Sequence, residues 1–158
     1  MSNTLRNVII GCAVMAILGM IGIGACFVWV ASQGAEPEDV EISVKGPASV
    51  ATGESFTLQA TVRNTAAKEQ TLVSLDIADA YLDGIVIRGS EPPFKDAQHI
   101  PIDNTTSYSF DLPIPAGGEV TVVFEAHAAH PGDHRGDVDF CINSEISFLS
   151  YPVRTLVE

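Results

Sequence analysis

Three histidines within eight residues, His127, His130 and His134, stand beside Asp133 and Asp137 around a Pro131-Gly132 turn. Neutral imidazole and carboxylate suit Zn²⁺ and Cu²⁺, and a turn can bring such donors together, so His127, His130, Asp133 and His134 are the metal-ligand set this chain offers. Their spacing is not the helical His-Glu-x-x-His pattern, and Gly and Pro oppose a helix here. The three methionines, Met1, Met15 and Met20, all lie near the N-terminus, so the rest of the chain has no thioether to favour Cu(I). A solvated hairpin loop is the plain alternative reading of the histidines. Two carboxylate stretches, Asp76, Asp79, Asp83 and Asp133, Asp137, Asp139, carry the oxygen donors Ca²⁺ prefers, but neither has the EF-hand loop order.

Nucleophilic catalysis needs an activated Ser, Thr or Cys beside a His and an orienting carboxylate. No Gly-x-Ser-x-Gly elbow surrounds any Ser, and the phosphate-cradling Gly patterns are missing. The sequence therefore predicts no catalytic residue, no cofactor and no enzymatic activity. Cys12 and Cys26 lie in an apolar run and Cys141 far from both, so the polar part of the chain has no disulfide of its own. A buried, inert thiol is the expectation for Cys141, with an intermolecular disulfide as the alternative. Arg135-Gly136-Asp137 matches the integrin-binding tripeptide but leads into a strand, and Asn104-Thr105-Thr106 is an N-glycosylation sequon in a loop.

The elements that must position these residues are of two kinds. From Val8 to Ala31 the chain runs for 24 residues with neither a charge nor a Pro. As a helix it would be roughly 36 Å long at about 1.5 Å per residue, enough for a hydrocarbon core of about 30 Å. Residues 8–31 thus read as one transmembrane helix, with 1–7 a short cytoplasmic N-terminus and 32–39 a linker. Two rivals are a secretory signal cleaved near Val30-Ala31-Ser32 and a lipoprotein signal, Ile23-Gly24-Ala25-Cys26, with Cys26 as the lipid-attachment residue. Arg6 before the span and Glu36, Glu38, Asp39 and Glu41 after it orient the N-terminus to the cytoplasm and residues 40–158 outside. Cys12, Ala16, Gly19 and Cys26 fall near one helix face and would allow self-association through it.

Beyond the linker the apolar period becomes 2: Ile42 and Val44; Phe56, Leu58, Ala60 and Val62; Val73, Leu75 and Ile77; Ile85 and Ile87; Tyr108, Phe110 and Leu112; Val120, Val122 and Phe124; Val138, Phe140 and Ile142. Gly, Pro and Asp punctuate these runs, and no amphipathic helix interrupts them. An antiparallel β-sandwich is predicted. The formal net charge of −12, with 20 acids against 8 bases, excludes a generic nucleic-acid binder.

The segment GPASVATGESFTLQATVRNTA, Gly46 to Ala66, followed by LPIPAGGEVTVVFEAHAAHPGDHRGDVDFCIN, Leu112 to Asn143, resembles the extracytoplasmic Ig-like domains of bacterial and archaeal surface proteins, CARDB and NEW3-type modules among them. The shared layout is a Gly turn, a strand ending in Val-x-Asn, a Gly-Gly turn, a strand, then Pro-Gly and a further strand. The resemblance implies an all-β, Ig-like antiparallel β-sandwich behind the single N-terminal transmembrane helix, without catalytic residues. The expectation is a single-pass plasma-membrane protein with a protein partner in the cell envelope, acting there as a non-enzymatic binding or structural module. The alternative is a metal- or small-ligand-binding envelope protein using the His127–His134 segment.

Overall fold

Alternating β-branched and aromatic residues bury one face of each strand, and the computed structural model, which describes residues 36–158, bears out the alternation. The strands are β1 (Val40–Lys45), β2 (Ser49–Val50), β3 (Ser55–Asn64), β4 (Gln70–Ala78), β5 (Ile85–Glu91), β6 (Asp96–Ile100), β7 (Thr105–Ile114), β8 (Glu119–Ala128), β9 (Gly132–Ile142) and β10 (Phe148–Val157). A single helical turn, α1 (Asp79–Leu82), joins β4 to β5. The expected cytoplasmic N-terminus, the transmembrane helix with its small-residue face, the lipid site at Cys26 and the first half of the linker lie outside the described residues.

The strands form two sheets, one in the order β1-β3-β8-β5 and the other β2-β10-β9-β4-β7-β6. Immunoglobulin sandwiches pair their strands A-B-E-D and G-F-C, and β1-β3-β8-β5 and β10-β9-β4 repeat those two orders. Here β7 and β6 widen the second sheet, and β5 precedes both in the chain. One pairing departs from the antiparallel expectation: β2 runs parallel to β10, with Ser49 opposite Leu156. After β1 the chain steps to the other sheet through Gly46-Pro47 without reversing, and Pro47, lacking an N–H, cannot extend the β1 ladder.

The inner faces meet over Leu58, Val62, Leu75, Phe110, Phe124 and Phe140, all 2% exposed or less. Edge-to-face rings link the sheets, Tyr108 to Phe124 at 5.3 Å and Phe110 to Phe124 at 6.0 Å. The inward set of β4 differs from the expected Val73, Leu75 and Ile77. A bulge between Leu72 and Ser74 turns Leu72 inward and leaves Val73 half-buried. An extra residue in one strand shifts which side chains face the core.

Candidate functional site

The structure divides the histidine segment between two sheets instead of gathering it in a hairpin loop. His127 lies inside β8, on the outer face of the four-stranded sheet, opposite Ser55 and Val86. Only Ala129, His130 and Pro131 connect β8 to β9, and that connection crosses from one sheet to the other. Asp133, His134 and Asp137 already belong to β9. The adjacent α1–β5 turn supplies a carbonyl to the crossing. Gly84 O accepts from Ala129 N at 2.8 Å and from His130 N at 3.3 Å.

Two imidazoles complete this joint. His130 Nδ1 lies 3.0 Å from Asp83 O, and His134 Nε2 lies 3.0 Å from His130 O. Each ring nitrogen meets a carbonyl, which can only accept, so it carries the proton and donates. The His134 ring also sits over Gly84 so closely that a Cβ there would collide with it. His127 Nδ1 is buried with no hydrogen-bond partner among the described residues. Asp133 receives Arg135 Nε at 3.0 Å and Arg154 Nε at 2.7 Å. Those two guanidinium groups, Arg135 first, hold its carboxyl well below the usual carboxylate range. Among the described residues, no group of three or more His, Cys, Asp or Glu side chains is placed to hold a metal ion.

The carboxylates diverge in the same way. Asp79 at the start of α1 accepts from Thr106 Oγ1 at 3.1 Å and meets His99 Nδ1 at 3.3 Å. Asp83 follows the last residue of α1 and gives its main-chain carbonyl to His130. Asp76 faces the other way, onto the outer face of the six-stranded sheet, where the register sets it opposite Asp139 of β9. Along the chain these two belong to separate acidic stretches, and only the β4–β9 register brings them together. Asp76 accepts from Ser107 Oγ at 2.6 Å and Asp139 from Ser150 Oγ at 2.5 Å. Burial, followed by the neighbouring carboxylates of Asp76, Asp137 and Asp103, pushes the Asp139 carboxyl up.

Cys141 lies one residue pair further along this face, 1% exposed, between Ser74 of β4 and Phe148 of β10. Its Sγ is 3.6 Å from Asp76 Oδ2 and 3.7 Å from Glu145 O, so the β9–β10 turn folds over it. Burial pushes the thiol up to about 12, with Asp76 and Asp139 acting in the same direction. The Arg135-Gly136-Asp137 tripeptide is inside β9 and paired with β10. Its Gly is there for packing: a Cβ would stand 2.7 Å from Ala78 Cβ and 3.1 Å from Tyr81 Cβ.

No protein-family profile matches the chain, and no curated protein sequence does. Among solved structures, the CARDB domain of a Pyrococcus furiosus protein, in complex with di-metal ions, is similar over 76% of this chain and 88% of its own, at 12% identity and a TM-score of 0.49. The cupredoxin domain of amoB from Nitrosocaldus yellowstonii is similar over 78% of this chain and 89% of its own, at 13% identity and 0.48. Native Escherichia coli alpha-2-macroglobulin is similar over 77% of this chain and 7% of its own, at 16% identity and 0.45.

Proposed function

We propose that this chain is a single-pass membrane protein whose extracytoplasmic β-sandwich is a non-enzymatic binding or structural module of the cell envelope. The uncharged run Val8–Ala31, with Arg6 before it and a cluster of acids after it, supports the anchor and its orientation. The observation that carries the module reading is the use made of the reactive side chains. His130 and His134 brace a sheet-to-sheet crossing, Asp133 is held by two arginines, and Cys141 is enclosed under a turn. Residues held in structural contacts are poor participants in chemistry, while open sheet faces and edges are means of binding.

The test is a pull-down of the intact protein from detergent-solubilised native membranes, with a His127→Ala, His130→Ala, His134→Ala variant beside it and metal content assayed in both. The expected result is recovery from the membrane fraction with a defined partner, no stoichiometric metal, and the same behaviour in the variant. Recovery from the soluble fraction would remove the anchor. Stoichiometric metal in the wild type that disappears in the variant would replace this reading with metal handling at the histidine segment.

A further inference from the structure

The two outer faces of the sandwich differ in charge balance. On the four-stranded sheet bases and acids alternate: Arg63 stands between Glu41 and Glu119, and Arg88 and Glu125 line one shallow groove. On the six-stranded sheet the register aligns Ser150, Asp139, Asp76, Ser107 and Gln98 in one row across five strands. At about 4.8 Å between strands the row is roughly 19 Å long. The next row starts at Phe148 and ends at Asp96. Neither row contains a Lys or Arg. The bases bordering them are already engaged, Lys95 with Asp111 at 3.1 Å, and Arg135 and Arg154 with Asp133.

Like charges directly opposite each other on a sheet are unfavourable, and among the described residues the Asp76–Asp139 pair has no cation of its own. A second observation is apolar: Phe148 is 44% exposed at the end of the Cys141 row, and Ile146 in the adjoining turn is 55% exposed.

We infer that this face docks a cationic polypeptide segment of a partner protein, its Arg or Lys side chains meeting Asp76 and Asp139 and an apolar residue meeting Phe148 and Ile146. Charge complementarity selects this occupant. A second copy of the same face and an anionic lipid surface are both repelled. A single metal ion is disfavoured because, among the described residues, no third ligating side chain joins the two carboxylates and each already holds a serine hydroxyl, whereas the side chains of an extended segment can pair with them. The inference rests on the binding-module reading and names the surface and the chemistry of the partner.

The experiment measures binding of a fluorescent peptide alternating Arg and Leu to the full chain in detergent, with a Glu-for-Arg peptide as control. It compares the wild type with an Asp76→Asn, Asp139→Asn variant and with a Glu119→Gln, Glu125→Gln variant that removes the same charge from the other sheet. Melting curves verify that both variants fold. The expected result is binding of the Arg peptide alone, weakened about 3- to 10-fold by the aspartate pair and little changed by the glutamate pair. Equal loss in both variants, or no binding of the Arg peptide, overturns the inference. So does Ca²⁺ that displaces the peptide beyond what NaCl of matched ionic strength does, which would make the face a divalent-cation site. A partner that is recovered in the pull-down and retained by the aspartate variant sinks this inference alone and leaves the module reading standing.

Discussion

Asn64, the last residue of β3, shows how one polar side chain can hold two turns together. Its Nδ2 donates to Lys68 O at 2.8 Å and Ile114 O at 3.0 Å, while its Oδ1 accepts from Ala66 N at 2.9 Å and Gln70 Nε2 at 3.0 Å. Buried groups stranded without partners cost about 1–3 kcal/mol each. Asn64→Ala should therefore lower unfolding free energy by about 2–4 kcal/mol in urea titration, and Asn64→Asp should also destabilise, because a carboxylate cannot donate to the carbonyls. The Val-x-Asn signature was legible in the sequence, but the role was not, since Ile114 is 50 residues away. Cys141 gives a second residue-scale test. A thiol this buried and this weakly acidic should resist alkylation in the folded protein and react on unfolding, as peptide mapping by mass spectrometry would show at that position. Rapid labelling under native conditions would mean the β9–β10 turn does not cover it.

At the scale of elements, the joint between the α1–β5 turn and the β8–β9 crossing makes Gly84 and His134 a coupled pair. Gly84→Ala should cost about 1–3 kcal/mol, because its Cβ would collide with the imidazole. In a His134→Ala background much of that cost should disappear, giving a coupling energy on the order of 1 kcal/mol in a double-mutant cycle of thermal melts. Additive effects would mean that the ring does not fill the space over Gly84. Gly136→Ala should destabilise as well, with no relief from His134→Ala, because Ala78 of β4 and Tyr81 of α1 are what it meets. The strands themselves were legible from alternation and turn residues. The β4 bulge, the two-residue β2 and the exposed β6 were not, because pairing partners define each of them and periodicity does not.

At the scale of the whole molecule, all 20 acids and every base except Arg6 lie in residues 36–158, so 7 positive charges against 20 negative leave this part near −13. Self-repulsion of that size is screened by salt, and the melting temperature should rise when NaCl is added to a low-salt buffer. The pH dependence has an identifiable contributor. The Asp139 carboxyl is raised, so as pH climbs past the ordinary aspartate value the unfolded chain releases a proton that the folded state still holds. This group's contribution is therefore greatest at acid pH and falls as pH rises through the raised value. Asp139→Asn should raise the melting temperature near neutral pH and lose that advantage in acid. Asp133 acts in the opposite direction, its stabilisation present above the ordinary value and lost as pH falls.

Local pattern was enough to determine which residues alternate between core and solvent in the strands other than β4, that Val8–Ala31 is an uncharged run of membrane-spanning length, and that acids outnumber bases in the chain beyond it. Those properties depend on side-chain type at short spacing, which the chain carries in itself. Only the tertiary structure decided that His130 and His134 brace a crossing between sheets, that Gly136 of the Arg-Gly-Asp tripeptide makes room for Ala78 and Tyr81, and that Asp76 and Asp139 stand opposite each other. The physical reason is register. A shift of one residue in a strand pair sends every side chain to the other face, so contacts between distant segments depend on how the strands dock, which no local spacing contains.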